Sequence, residues 1–415
     1  MSKRPVYMDY AAATPADPRA LKAMMPFLKN SYGNPSSSHA LGQQAKVGIE
    51  KAREKVAAFL SCSAGEVVFT SGATEANNLA IHGILQSVLE SYLKTKNYPS
   101  ILLGVNQLKT SEKPHIITSA IEHESVLAPI RDLEKRGAVE ATYVLPDAEG
   151  LVRPSDVADA LTPNTALVSI QYANSEIGTV QPIAEISRVL RDFLKTKNYK
   201  LKTIFHTDAT QAANYLDCSV EKLGVDLLTL SSHKIYGPKG AGALYAKKGV
   251  EFSPLLLGGG QEEGRRSGTE NVPGIVGMGE ACALLLDPRI RLRSISLRQL
   301  RDRCVKSALA RIPEARITGS VKNRLPNNIH LRLPGVQGKD VVFLMDQKGV
   351  CVSTGSACSE SSQEASHVLL AMGYSREEAL SSVRISLGRT TTAAETARCV
   401  KALVSSLDRL KRGGI

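Results

Sequence analysis

Five short runs of continuous apolarity punctuate the first two-thirds of the chain: VVFT at 67–70, HIIT at 115–118, ALVSI at 166–170, TIFH at 203–206 and DLLTL at 226–230. None shows strict alternation of apolar and polar residues. Such a strand must be covered on both faces, which is how strands of a parallel sheet read. Enough chain for a helix separates each run from the next. Parallel neighbours need such crossovers, so the pattern predicts an α/β unit on a mainly parallel sheet. Sheets of this kind bind ligands beyond the carboxyl ends of their strands.

The character changes after Asp287-Pro288. A basic helix over about 290–312 precedes NNIHLRL (327–333), DVVFLMDQKGV (340–350), a strand-like turn and a C-terminal helix ending in KRGGI. This reads as a smaller α+β domain onto which the N-terminal segment packs. The expected division is a large domain over 15–287 and a small one over 1–14 and 288–415. The hexamer LKTKNY occurs at both 93–98 and 194–199. Lysines at helix ends suit the negative end of the helix dipole. The surrounding unit does not repeat, so the chain is not a solenoid.

Composition excludes several classes. The 415 residues are 43% hydrophobic and 22% charged, an ordinary globular balance. No apolar run approaches the roughly 18 residues needed to span a bilayer, and the start carries no apolar leader. A cytoplasmic protein is expected. The seven cysteines (Cys62, Cys218, Cys282, Cys304, Cys351, Cys358 and Cys399) are scattered, odd in number and never spaced CxxC. That argues against a disulfide framework and against a metal site, and most read as buried small hydrophobes, Cys351 among them. The formal net charge is +12, with basic residues crowded over 289–324. The plain reading is a solvated amphipathic helix. The sharper one is a docking face for an acidic protein or an RNA. No RNA-binding motif accompanies it, so no nucleic-acid partner is expected.

The residues after each strand carry the chemistry. After VVFT, Gly72, Ala73 and Thr74 open a helix, where N–H groups and a hydroxyl can cradle a phosphate. After HIIT comes His123; after ALVSI, Asn174 and Glu176; after TIFH, Asp208 and Gln211; after DLLTL, Ser231, His233 and Lys234. Singly, each has a plain reading: a surface histidine, a helix cap, an exposed lysine. Jointly, on one rim, they match pyridoxal phosphate. That cofactor needs a phosphate cradle, an Asp for its ring nitrogen and a lysine able to form a Schiff base.

The segments SGATEANNLAI, EHESV, DATQ, SSHKIYGPKGAGALY, GGGQEEGRRSGTEN and STGSACSES together resemble the cysteine desulfurases. The closer branch is the NifS/IscS-like one of the class V, fold-type I aminotransferase superfamily. The likeness runs from MDYAAATP to SLGRTTT. It implies a large domain with a mainly parallel seven-stranded sheet, and a small α+β domain carrying a catalytic cysteine loop. It implies that Lys234 is the Schiff-base lysine. Asp208 would pair with the pyridine nitrogen, and Gln211 would bond the ring hydroxyl. His123 would stack on the ring and take part in acid–base steps. Ala73, Thr74, Ser231 and His233 would hold the phosphate. Thr269 would reach the phosphate of a neighbouring subunit, making a homodimer with shared sites. Arg384 would clamp the substrate carboxylate, a task suited to a guanidinium. Asn174 would contact cofactor and substrate, with Asn34 assisting. Cys358, in a Gly/Ser-rich stretch, would take sulfur from L-cysteine as a persulfide, with L-alanine as the other product. The sulfur would pass to an acceptor protein such as an iron–sulfur scaffold, or to tRNA thiolation. Ala13, Ser175, Ser232 and Ala365 depart from residues common in the family, and none removes a proposed catalytic group. Selenocysteine lyase, another class V transaminase or lyase, and a non-catalytic sulfur-assembly scaffold are the competing readings. A scaffold has no need of a Schiff-base lysine.

Overall fold

The computed structural model describes residues 4–95, 113–196, 202–355 and 364–413. A two-residue strand, β1 (Val6–Tyr7), opens the chain. The large sheet follows: β2 (Val67–Thr70), β3 (His115–Ser119), β4 (Glu140–Val144), β5 (Thr165–Ser169), β6 (Ile204–Asp208), β7 (Leu227–Ser231) and β8 (Gly242–Ala246). Its seven strands run in the order β2-β8-β7-β6-β5-β3-β4. β8 is antiparallel to both its neighbours, and the other pairs are parallel. The five apolar runs of the sequence fall on β2, β3, β5, β6 and β7, each within two residues at either end.

Pleating explains why those runs show no alternation. Successive strand residues point to opposite faces. Phe69, Ile117, Val168, Phe205 and Leu228 join one apolar cluster, with helices Ala40–Leu60 and Val272–Leu285. Their chain neighbours Val68, Ile116, Leu167, Ile204 and Leu227 join the other, with helices Ala73–Thr95 and Glu124–Lys135. Both faces are covered, so both sets of positions are apolar.

Beyond Asp287 the helix Pro288–Arg311 buries Leu297, Leu300, Cys304 and Ala308. Three antiparallel strands accompany it: β9 (Arg316–Ile317), β10 (Asn328–Arg332) and, after β11 (Val350–Cys351), β12 (Ser382–Ser386). DVVFLMD is helical, inside Gly338–Gln347. β1 pairs in parallel with β11, and Val6 and Met8 join the apolar cluster of Leu297, Val341, Val383 and Leu403. Both copies of LKTKNY begin in helix, in Ala73–Thr95 and Ile183–Thr196; their ends lie outside the described residues. Among the described residues, no helix is long and apolar enough to cross a membrane, and no cluster suited to a metal is found. Cys218, Cys282, Cys304 and Cys399 are buried free thiols. Cys351 departs from expectation: it is half-exposed, because β11 is short and its Sγ turns to Asp346 Oδ1 at 3.9 Å.

Candidate active site

A cleft of about 630 Å³ opens beyond the carboxyl ends of the parallel strands. Ala73, Thr74, His123, Asn174, Asp208, Gln211, Ser231, His233, Lys234 and Arg384 all line it. They come from both parts of the chain, since Arg384 sits on β12 and the others on the large sheet's rim.

The first helical bond of Ala73–Thr95 runs from Ala76 N to Gly72 O. The N–H groups of Ala73 and Thr74 therefore carry no intrahelical bond and meet the cleft at the positive end of the helix dipole. Across the cleft, Ser231 Oγ and His233 Nδ1 lie 3.0 Å apart. Burial, reinforced by Lys234 and Lys239, pushes His233 down to about 4, so the ring is neutral at physiological pH.

Lys234 follows β7 in a single 3₁₀ turn, Ser232–Lys234. Its Nζ donates to Ala11 O (2.6 Å) and Ala12 O (2.7 Å), and Gln211 Nε2 donates to the same Ala11 O at 3.0 Å. Asp208 ends β6 and is only 7% exposed. Its Oδ1 accepts from Thr210 N (2.8 Å) and its Oδ2 from Asn77 Nδ2 (2.8 Å). His123 caps the helix Glu124–Lys135, its Nδ1 accepting from Ser125 N at 3.1 Å.

Arg384 is buried. One terminal nitrogen donates to Ser175 O (3.0 Å) and Gly355 O (2.8 Å), and the other to Asp9 Oδ1 (2.9 Å). Gly355 has φ +115°, a left-handed conformation that favours glycine. Asn174 spends its amide on the loop around it: Nδ2 donates to Ile121 O, and Oδ1 accepts from Glu176 N and Ile177 N. It lines the cleft as a brace for that loop.

Asn34 lies elsewhere, and Thr269, expected at a neighbouring subunit's phosphate, lies outside this chain's own cleft. Asn34 is exposed, with Oδ1 accepting from Ser36 N, and Thr269 is exposed on its loop; neither lines this chain's cleft. Cys358 falls outside the described residues, while Gly355, three positions earlier, lines the cleft. The structure also adds residues that strand-end reading did not select. Glu122 is fully buried, its Oε1 accepting from Ser119 Oγ (2.6 Å) and Gln171 N (2.8 Å), and burial pushes it up to about 8. His367 Nε2 meets Glu122 O at 2.8 Å. Asp9 and His367 are far in sequence from any large-sheet strand end, so no local signal marked them. Asn77 was within reach, one helical turn after Ala73.

The chain matches the aminotransferase class-V family over residues 6–109 and 94–398. It is 43% identical to a cysteine desulfurase IscS of Dictyoglomus turgidum, covering 99% of this chain and 96% of that one. It is 39% identical to a cysteine desulfurase IscS of Archaeoglobus fulgidus, covering 98% and 97%. A solved NifS-like protein superposes with a TM-score of 0.83 at 35% identity, covering 97% and 99%. A solved SspA in complex with cysteine superposes with a TM-score of 0.75 at 36% identity, covering 93% and 99%. The chain belongs to the cysteine desulfurases of the class-V aminotransferase family. The cleft of this desulfurase-family enzyme thus gathers a lysine, an aspartate and a helix N-terminus where the strands of a doubly wound sheet end.

Proposed function

We propose that the protein removes sulfur from L-cysteine with pyridoxal phosphate, releases L-alanine and holds the sulfur on Cys358. The observation that carries the reading is the convergence on one cleft of Lys234, Asp208 and the free N–H groups of Ala73 and Thr74. The donor set fits the cofactor. Phosphate suits the helix start with the hydroxyls of Thr74 and Ser231; a ring nitrogen suits the Asp208 carboxylate; a ring hydroxyl suits Gln211. The Thr210 hydroxyl lines the same cleft, buried and without a partner among the described residues. When bound, pyridoxal phosphate supplies an electron sink for a carbanion at the substrate Cα.

The chain's own groups do the rest. Lys234 sits on a short turn and can leave the Ala11 and Ala12 carbonyls to bond the cofactor or carry a proton. Asp208 is held in orientation by Asn77 and Thr210 N, which keeps a negative charge aimed at one place. Arg384 is held by Asp9 and two carbonyls, which fixes the plane of its fork; a substrate carboxylate would exchange with those acceptors for its N–H groups. Cys358 is three residues from cleft-lining Gly355, and three residues of chain reach at most about 11 Å. A thiolate on that tether can attack the substrate sulfur. An S–S bond forms as the substrate Cβ–S bond breaks. The electron pair stays on the carbon that becomes alanine's methyl and takes a proton, and Cys358 keeps the sulfur as a persulfide to pass on.

The division into a large unit over 15–287 and a small unit over 1–14 and 288–415 belongs to this reading, with Arg384 and the Cys358 segment contributed by the small one. So does a homodimer. Leu21 (47% exposed), Met25 (40%) and Leu28 (57%) form an i, i+4, i+7 stripe on the helix Pro18–Lys29 that faces outward. Tyr32 and Leu257 are exposed as well. In such a dimer exposed Thr269 is assigned to the partner's phosphate cradle. The acceptor protein is assigned to the helix Pro288–Arg311, where exposed Leu292 and Ile295 lie among arginines. A cytoplasmic compartment goes with this activity.

The test is purified protein given L-cysteine, with alanine and protein-bound persulfide measured together. Equal early yields of both, lost in Cys358→Ala while cofactor absorbance stays, are expected. Alanine formed without persulfide sinks the assignment of Cys358.

A further inference from the structure

Asp208 and His123 are joined by an unbroken chain of hydrogen bonds. Asn77 is completely buried, and its Nδ2 donates both hydrogens: to Asp208 Oδ2 at 2.8 Å and to Ser125 Oγ at 2.8 Å. Ser125 Oγ lies 2.8 Å from His123 Nδ1, and Ser125 N donates to that same Nδ1 at 3.1 Å.

Each direction in the chain is forced. The Asp208 carboxylate only accepts, so the nitrogen of the Asn77 amide must face it. That leaves Asn77 Oδ1 buried with no hydrogen-bond partner among the described residues, a cost the fold accepts to keep this orientation. Because Ser125 Oγ takes a hydrogen from Asn77, its own hydrogen is free for His123 Nδ1. The backbone N–H of Ser125 cannot rotate away, so Nδ1 faces two donors and can carry no proton of its own. The remaining hydrogen of the ring must then be on Nε2.

We propose that Asn77 and Ser125 are positioning residues that couple Asp208 to His123 and hold the imidazole as its neutral Nε2–H tautomer. This rests on the desulfurase reading only in what the ring then does. His123 meets cofactor and substrate as a hydrogen-bond donor through Nε2, not as a bare nitrogen ready to take a proton. To act as a base it must first lose the Nε2 hydrogen or turn away from its cap. Asn77 also ties the two groups mechanically, so a shift of the Asp208 carboxylate is felt at His123.

The tautomer is read directly by long-range ¹H–¹⁵N correlation on full-length histidine-labelled protein, with and without pyridoxal phosphate. His123→Gln assigns the signal among the eight histidines. The expected result at mildly alkaline pH is a bare Nδ1 and a protonated Nε2. Ser125→Ala should keep that tautomer, because the backbone donor remains, but move Nδ1 toward a weaker hydrogen bond. Asn77→Ala should move Nδ1 the same way, and the double variant no further than Ser125→Ala alone. Turnover of Asn77→Ala should fall about tenfold in kcat with little change in KM for cysteine. A proton on Nδ1 in the parent protein overturns the proposal, and that measurement needs no variant to fold. An additive shift in the double variant overturns the coupling. Alanine release is assayed separately: the tautomer without alanine would sink the desulfurase reading alone, and alanine with the other tautomer would sink this proposal alone.

Discussion

Lys234 holds two backbone carbonyls of the N-terminal segment, and that contact says what the residue must give up to react. Lys234→Ala should abolish alanine formation and the visible absorbance of a protein-bound Schiff base, both read on one sample. Glu122 makes a second residue-scale prediction. Its folded-state value of about 8, against an ordinary 4.5, means that the folded chain keeps a proton the unfolded chain releases between those limits. Its stabilising share is therefore full below 4.5 and lost as pH rises toward 8. Glu122→Gln mimics the protonated acid, so it should lose less stability than the parent between pH 5 and 8, by on the order of 2 kcal/mol. Urea midpoints at the two pH values check it, and parallel curves would refute it. His206 and His233 act on the other side. Burial takes both down to about 4 from 6.5, so the unfolded chain binds the extra protons and stability falls as pH drops below 6.5. At this scale the strand-end residues were legible because a β-strand delivers its last side chain to a fixed rim. Asn34 and Thr269 were read from motif alone and stand outside their own chain's cleft.

Elements that the sequence hid are those whose environment is decided by neighbours. β4 is an edge strand with an exposed or half-exposed start, so EATYV carries no continuous apolar signal. β8 is buried throughout, yet it grows out of a Gly-rich loop and reverses between β2 and β7. Its pairing fixes the sheet end that carries the phosphate cradle. That end has a second fastening. Glu262 Oε2 accepts from Phe69 N (2.8 Å) on β2 and from Arg53 Nη1 (2.8 Å), and its Oε1 from Arg53 Nη2 (2.7 Å). Arg53 and Glu262 are both buried. Glu262→Ala would leave the buried guanidinium with only the more exposed Glu50 carboxylate and Val67 O, and should cost about 3 kcal/mol by chemical denaturation. An unchanged midpoint would mean that the pair contributes nothing to the fold. DVVFLMD became a helix because the Gly338–Gln347 segment buries Val341, Leu344 and Met345 at three- and four-residue spacing.

The whole molecule brings Arg384 on β12 to the rim of the large sheet, where it lines the cleft and reaches Asp9 near the other end of the sequence. The outward stripe Leu21, Met25, Leu28 predicts a dimer. Leu21→Asp with Leu28→Asp should give a monomer in sedimentation, with weakened cofactor affinity as the partner's contribution is lost. A double variant that stays dimeric would place the interface elsewhere. Reversing Arg293 and Arg298 to Glu should slow sulfur transfer to an acidic acceptor protein while leaving turnover of free cysteine unchanged, since these exposed residues lie outside the cleft. Equal losses in both assays would refute a separate docking face.

The sequence by itself determined the parallel sheet and most of the rim. Doubly covered strands are apolar on both faces, and rim residues such as Asp208 and Lys234 stand at the end of such a strand or just past it. Both constraints are local and leave their mark in consecutive residues. Only the tertiary structure decided that Asp9 braces Arg384, that Glu122 is buried as an acid and that Asn77 bridges Asp208 to Ser125 and His123. The Asn77–Ser125, Asn77–Asp208 and Asp9–Arg384 bonds join residues 48, 131 and 375 positions apart. Hydrogen bonds and burial depend on distance in space, which no run of adjacent residues records.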